Sequence, residues 1–162
     1  MFADFTDKIK TTEDKQLLMD EINLVLKSLY QNTDMYNNVL QSTIRAWVRA
    51  AITQDLEVTP DKEKYFKSLL TELAKLEEFD IVIPMDLSQS GLERIFYWVK
   101  DNIGAGIVLD IKIDSKLIGG AIFMYRGKYI DLSMKKKFEE LFGSVYSNLQ
   151  PKTAQSVPAS NI

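Results

Sequence analysis

The first 78 residues contain no glycine and a single proline, Pro60, whereas all seven glycines fall from Gly91 onward. Glycine provides the positive-φ backbone that tight hairpins and many turns need. A glycine-free stretch of this length with apolar residues every three to four positions therefore predicts helices and nothing else. Leu18, Ile22, Val25 and Leu29 form one stripe of a helix from about Thr12 to Tyr30, capped by Thr11 or Thr12, with Glu13 and Asp14 near its positive end. Asn32, Thr33 and Asp34 break that helix and open a second over about 34–54, with Tyr36, Leu40, Ile44, Trp47, Val48 and Ala51 inward. Thr59, Pro60 and Asp61 carry the marks of a third start, a capping hydroxyl followed by proline at the first helical position. Its stripe is Phe66, Leu69, Leu70, Leu73 and Leu76. A short opening helix through Phe2, Phe5 and Ile9 completes a small bundle of three or four helices over residues 1–78.

Beyond Glu78 the periodicity changes. Asp80–Pro84 reads as a β-branched strand stopped by proline, and Asp86–Gln89 caps a helix carrying Leu92, Ile95, Phe96 and Val99. From Gly106 to Asp114 the period is two: Ile107, Leu109, Ile111 and Ile113 face a core, while Val108, Asp110, Lys112 and Asp114 face water. Leu117–Tyr125 is apolar on both faces, as a central strand is. Arg126 and Gly127 then turn into Lys128–Asp131 as a β-hairpin. A last helix from about Ser133 is expected to bury Met134, Phe138, Leu141, Phe142, Val145 and Leu149, and residues 150–162 read as a disordered, polar tail. The expected fold is α+β: a helical bundle (1–78), then an α+β domain (79–149) with a mixed sheet and two helices.

Composition restricts the chemistry. The chain has no His and no Cys, which removes His-dependent triads, thiolate nucleophiles and the usual zinc and haem ligands together. Net charge is −3, with 10 basic and 14 acidic residues up to Glu78 (−4) and 10 and 9 thereafter (+1). Neither part carries the basic footprint of a nucleic-acid binder. The cluster Lys135–Lys137 is matched at i,i+4 by Glu139 and Glu140, as on a solvated helix face. The glycines at 104 and 106 follow a helix, and Gly119–Gly120 enter a strand, so neither pair opens a helix as a phosphate loop does. Asp110, Asp114 and Asp131 are the carboxylates that could gather a hard cation, but a wet sheet face and a capping role explain them more simply. Trp47 and Trp98 lie on or beside apolar helix stripes, where packing explains them. The expectation is a non-catalytic protein without cofactor or metal.

The ordered run Asp114, Ile118, Gly119, Gly120, then Gly127, Ile130, Asp131 and Ser133 before an amphipathic helix resembles the C-terminal signature of the F-type ATP synthase delta subunit family, whose mitochondrial counterpart is the oligomycin-sensitivity-conferring protein. The resemblance covers about Phe79 to Phe142. The E subunit of archaeal and vacuolar ATPases has a similar Ile-Gly-Gly hairpin, but Ile130-Asp131-x-Ser133 is closer to delta. The resemblance implies a peripheral-stalk (stator) subunit linking F1 alpha and beta subunits to a b-type stalk. It also implies a place at the cytoplasmic face of a bacterial inner membrane, or its mitochondrial or plastid equivalent, peripheral and without membrane insertion. A small regulatory protein-binding module is the alternative of a different class. The helical part is expected to dock on the head, with Phe2, Phe5 and Ile9 as candidate partner-binding residues on the surface of so short a bundle.

Overall fold

The computed structural model describes residues 2–149. Its helical part comprises α1 (Ala3–Thr6), α2 (Thr12–Leu29), α3 (Thr33–Asn38), α4 (Ala46–Val58) and α5 (Lys62–Ala74). It is followed by β1 (Glu77–Ile83), α6 (Gln89–Asn102), β2 (Ile107–Ile113), β3 (Ile122–Tyr125), β4 (Lys128–Asp131) and α7 (Met134–Leu149). The fold is α+β. The disordered tail expected over 150–162, and the inward placement of Val145 and Leu149, fall outside what is described.

Local chemistry accounts for the helix boundaries. Thr11 caps α2 by accepting the Asp14 N–H at 3.1 Å, and Ser88 caps α6 by accepting the Gly91 N–H at 3.2 Å. At α5 the cap is Asp61, which accepts from Lys64 N–H at 3.0 Å, so the helix starts two residues later than the Thr59–Pro60 signal predicts. The second helix is not continuous. It runs through a wide π-turn at Val39–Thr43 and breaks at Ile44, whose ψ of 139° is extended. Ser42 explains part of this: its hydroxyl bonds back to the Asn38 carbonyl at 2.6 Å, in competition with the helical ladder. Glu21 of α2 then accepts the Arg45 backbone N–H at 3.0 Å, supplying α4 with a cap from another helix.

The helical core gathers Leu18, Ile22 and Val25 of α2, Val48 and Ile52 of α4, and Tyr65, Phe66, Leu69 and Leu73 of α5. Phe5 and Ile9 belong to it, at 0% and 1% exposure. The expectation that a short bundle leaves them on the surface is therefore corrected: α1 folds back and plugs the bundle, with Phe5 packed on Trp47 at a ring separation of 6.0 Å. Phe2 is half-buried against Tyr65.

The sheet order is β2-β1-β3-β4, with β1 parallel to β2 and the other neighbours antiparallel. Arg126 (φ +47°) and Gly127 (φ +76°) make the two-residue hairpin turn, both with positive φ, that matches the twist of β3 and β4. The strand expected over Leu117–Tyr125 is regular only from Ile122; residues 114–121 form a loop, turned by Asp114. Helix α6 covers one face of the sheet, burying Phe79, Ile81, Ile83, Ile107 and Leu109 against Phe96 and Val99. The opposite face is not wet along its whole length. Val108, expected in water, is 1% exposed because the helical core covers it, whereas Ile113, expected inward, is 57% exposed at the far end of β2.

Helix α7 departs most from expectation. Met134, Phe138, Leu141 and Phe142 are 44%, 40%, 62% and 57% exposed rather than buried. The apolar stripe that periodicity picks out is present, but it does not turn onto the sheet.

Candidate functional site

The two halves of the glycine–aspartate signature meet in space. Gly120 has φ +81°, and a β-carbon there would lie 2.2 Å from the Leu132 carbonyl oxygen and 2.9 Å from the Ser133 α-carbon. Only a hydrogen side chain fits. Beside it the Gly119 carbonyl accepts the Met134 N–H and the Ala121 carbonyl accepts the Leu132 N–H, both at 2.9 Å. Asp131 accepts the Ser133 N–H at 2.8 Å, and the Ser133 hydroxyl, then this backbone contact, hold its carboxyl below the usual range. Ser133 itself is 2% exposed, and its hydroxyl faces the Lys136 N–H at 3.5 Å. Gly119, Gly120, Asp131 and Ser133 thus form one corner that sets the direction in which α7 leaves the sheet.

The other signature residues lie elsewhere. Asp114 organises its own turn, accepting the Lys116 N–H on its side chain at 2.9 Å. Gly127 is at the opposite end of the hairpin, and Ile118 is 68% exposed. The three candidate cation ligands do not converge. Asp110 takes Thr12 at 3.2 Å and Lys112 at 2.7 Å, and that ammonium holds its carboxyl below the ordinary range. Among the described residues no group of three acidic side chains is placed to hold a metal ion.

The surface the sequence did not disclose is a groove on the α6 side of the sheet. Because α6 covers β1 and β2, β3 and β4 are left partly open, and Ile81, Phe123 and Ile130 form one row across the strands. Two adjoining clefts of about 660 and 520 Å³ share Phe79, Trp98, Phe123 and Leu132 as lining. Trp98 and Leu132 are 58% and 52% exposed. The signal available in sequence was the spacing of Gly91, Ile95, Trp98 and Asn102, a second helical stripe flanking the Phe96–Val99 one. The groove's far rim is fixed by Glu77, which accepts from the Tyr125 hydroxyl at 2.7 Å and from Arg126 at 2.8 and 2.6 Å. The Arg126 guanidinium, and then the Tyr125 hydroxyl, hold the Glu77 carboxyl down to about 2.

On the helical part, Phe2, Pro60, Lys64 and Tyr65 are among the residues lining a cleft of about 460 Å³. Of the three candidate partner-binding residues, Phe2 alone reaches a surface depression; Phe5 and Ile9 are core.

What this arrangement defines is a protein with apolar clefts on two differently built parts, one helical and one α+β. The chain belongs to the ATP synthase delta (OSCP) subunit family, whose sequence profile matches residues 8–144. It is 28% identical over 135 residues to the ATP synthase subunit delta of Vesicomyosocius okutanii, covering 83% of this chain and 66% of that protein. It is 28% identical over 122 residues to that of Wigglesworthia glossinidia brevipalpis, covering 75% and 65%. For Methylobacterium nodulans the figures are 26% over 92 residues, covering 57% and 48%. The chain therefore spans about half to two thirds of the length of these relatives. A chain of the Polytomella F-ATP synthase cryo-EM structure overlaps 44% of this chain and 92% of its own length at 23% identity, with a TM-score of 0.38. No helix among the described residues is long and apolar enough to cross a membrane.

Proposed function

We propose that the chain is a non-catalytic stator subunit of an F-type ATP synthase, joining the catalytic head to a b-type stalk and resisting rotary torque. Family membership supports the complex. The observation that carries the role is the pair of apolar surfaces on different parts of the molecule. The cleft at Phe2 and Tyr65 on the helical bundle suits the head, through alpha and beta subunits. The groove at Phe79, Trp98 and Phe123, together with the exposed face of α7, suits an amphipathic helix of the stalk. An exposed aromatic and aliphatic surface of this extent is costly to leave in water, and a permanent partner relieves that cost. The division expected as residues 1–78 and 79–149 belongs to the same proposal, with Glu77 and Glu78 counted in the α+β part because β1 begins at Glu77, as does a peripheral position at the cytoplasmic face of a bacterial inner membrane.

The test is to recover the affinity-tagged full chain from its own host under mild conditions. Alpha, beta and b-type subunits are expected with it in fixed ratio. Recovery with none of them would contradict the stator reading and favour a separate regulatory module.

A further inference from the structure

The helical and α+β parts are joined covalently by only two residues, Lys75 and Leu76, between α5 and β1. A single connector of that kind leaves a hinge. Here a second attachment, remote in sequence, reaches the neighbouring strand. Ile9 is sunk in the helical core at 1% exposure. The Lys10 carbonyl accepts the Leu109 N–H at 2.9 Å, so that Thr11 pairs with Leu109 in parallel register as one further rung on the free edge of β2. The Lys10 side chain continues to Glu93 of α6 at 2.6 Å. Thr11 caps α2, and Thr12 donates to Asp110 of β2 at 3.2 Å.

From the other side, Val108 of β2 is buried in the helical core. Lys15 of α2 donates to the Leu76 carbonyl at 3.2 Å and pairs with Glu78 at 3.3 Å. Exposed ion pairs of this kind contribute little alone. A backbone bond flanked by two buried apolar anchors, Ile9 and Val108, is a different matter, because opening it would wet both at once.

We infer that Ile9–Thr12 is a strap that locks the helical bundle to β2, making the two parts one cooperative unit in which load on either part passes to the other through the sheet edge. The inference stands on this geometry and does not depend on the stator reading.

The chain's two tryptophans report on the two parts separately: Trp47 lies in α4 and Trp98 in α6. Labelling the full chain with 5-fluorotryptophan gives one ¹⁹F signal for each, followed through urea unfolding. In the parent protein both native signals should vanish at the same urea midpoint, and the Leu109 amide should exchange as slowly as those of the helical core. Val108→Asp places a carboxylate in the helical core and should separate the two midpoints. If that variant does not fold, Val108→Thr serves in its place, with a smaller separation in the same sense. Two distinct midpoints in the parent, or a fast-exchanging Leu109 amide beside protected helical amides, would overturn the strap. So would midpoints that stay coincident in the Val108 variant that folds.

Discussion

Glu21 holds Arg45 at three points: its carboxylate accepts the Arg45 backbone N–H at 3.0 Å and the side-chain Nε at 3.0 and 2.9 Å, and Nη2 lies 2.8 Å away as an ion-pair contact. Glu21 is 8% exposed, and the guanidinium lies 5.2 Å from the Trp47 ring centre. One carboxylate therefore starts α4 and neutralises a largely enclosed cation, bonding its Nε while the buried Nη2 has only the ion-pair contact. Glu21→Ala leaves the Arg45 N–H and guanidinium without that acceptor and should cost about 2–4 kcal/mol. Glu21→Gln keeps one acceptor and should cost clearly less. Urea unfolding of both variants checks the order; equal costs would contradict the charge-assisted cap.

The paired glycines should behave very differently from one another. Gly120→Val meets the Leu132 carbonyl in a backbone conformation that valine avoids, so about 3 kcal/mol or more should be lost, or the fold abandoned. At Gly119 an added β-carbon meets the Met134 side chain, its sulfur at 3.2 Å and its γ-carbon at 3.4 Å, and not backbone. Gly119→Ala should cost less than about 1 kcal/mol. Thermal unfolding of the two single variants decides, and a parent-like melting temperature for Gly120→Val would refute the close packing.

Acid should open the far rim of the groove. In the folded protein Arg126 holds the Glu77 carboxyl down to about 2, below the ordinary carboxylate value it regains on unfolding. A lowered folded value means the contact stabilises fully above the unfolded value and is lost as pH falls through the folded one. The stability difference between the parent and Glu77→Gln should therefore be constant from pH 7 to about 5 and shrink toward pH 2. Melting temperatures across that range test it; a difference that widened with acid would contradict the sign.

Much of this fold was written in local pattern. The α2 stripe, the Ser88 cap and the Arg126–Gly127 turn depend on residues within a few positions of each other, and each forms where the sequence places it. What the sequence did not disclose depends on distant neighbours. The α4 break needs Glu21, 24 positions away, and the burial of Val108 needs a bundle packed on a face that alternation alone marks as wet. Periodicity found the apolar face of α7 but assigned it to the core by default. An exposed apolar stripe and a buried one look alike in sequence. The same ambiguity put Phe5 and Ile9 outside, because composition does not tell which of two apolar surfaces a short bundle closes first.

The division of labour between the two parts is tested most directly by charging one surface at a time in the full-length chain. Phe142→Asp alters the exposed face of α7, and Phe2→Asp alters the cleft beside Tyr65. Binding of each folded variant to purified catalytic head and to the b-type stalk can be followed by biolayer interferometry. Phe142→Asp should weaken stalk binding at least tenfold and leave the head unaffected, with Phe2→Asp doing the reverse. Loss of head binding in Phe142→Asp with the stalk retained would contradict the assignment of the two surfaces.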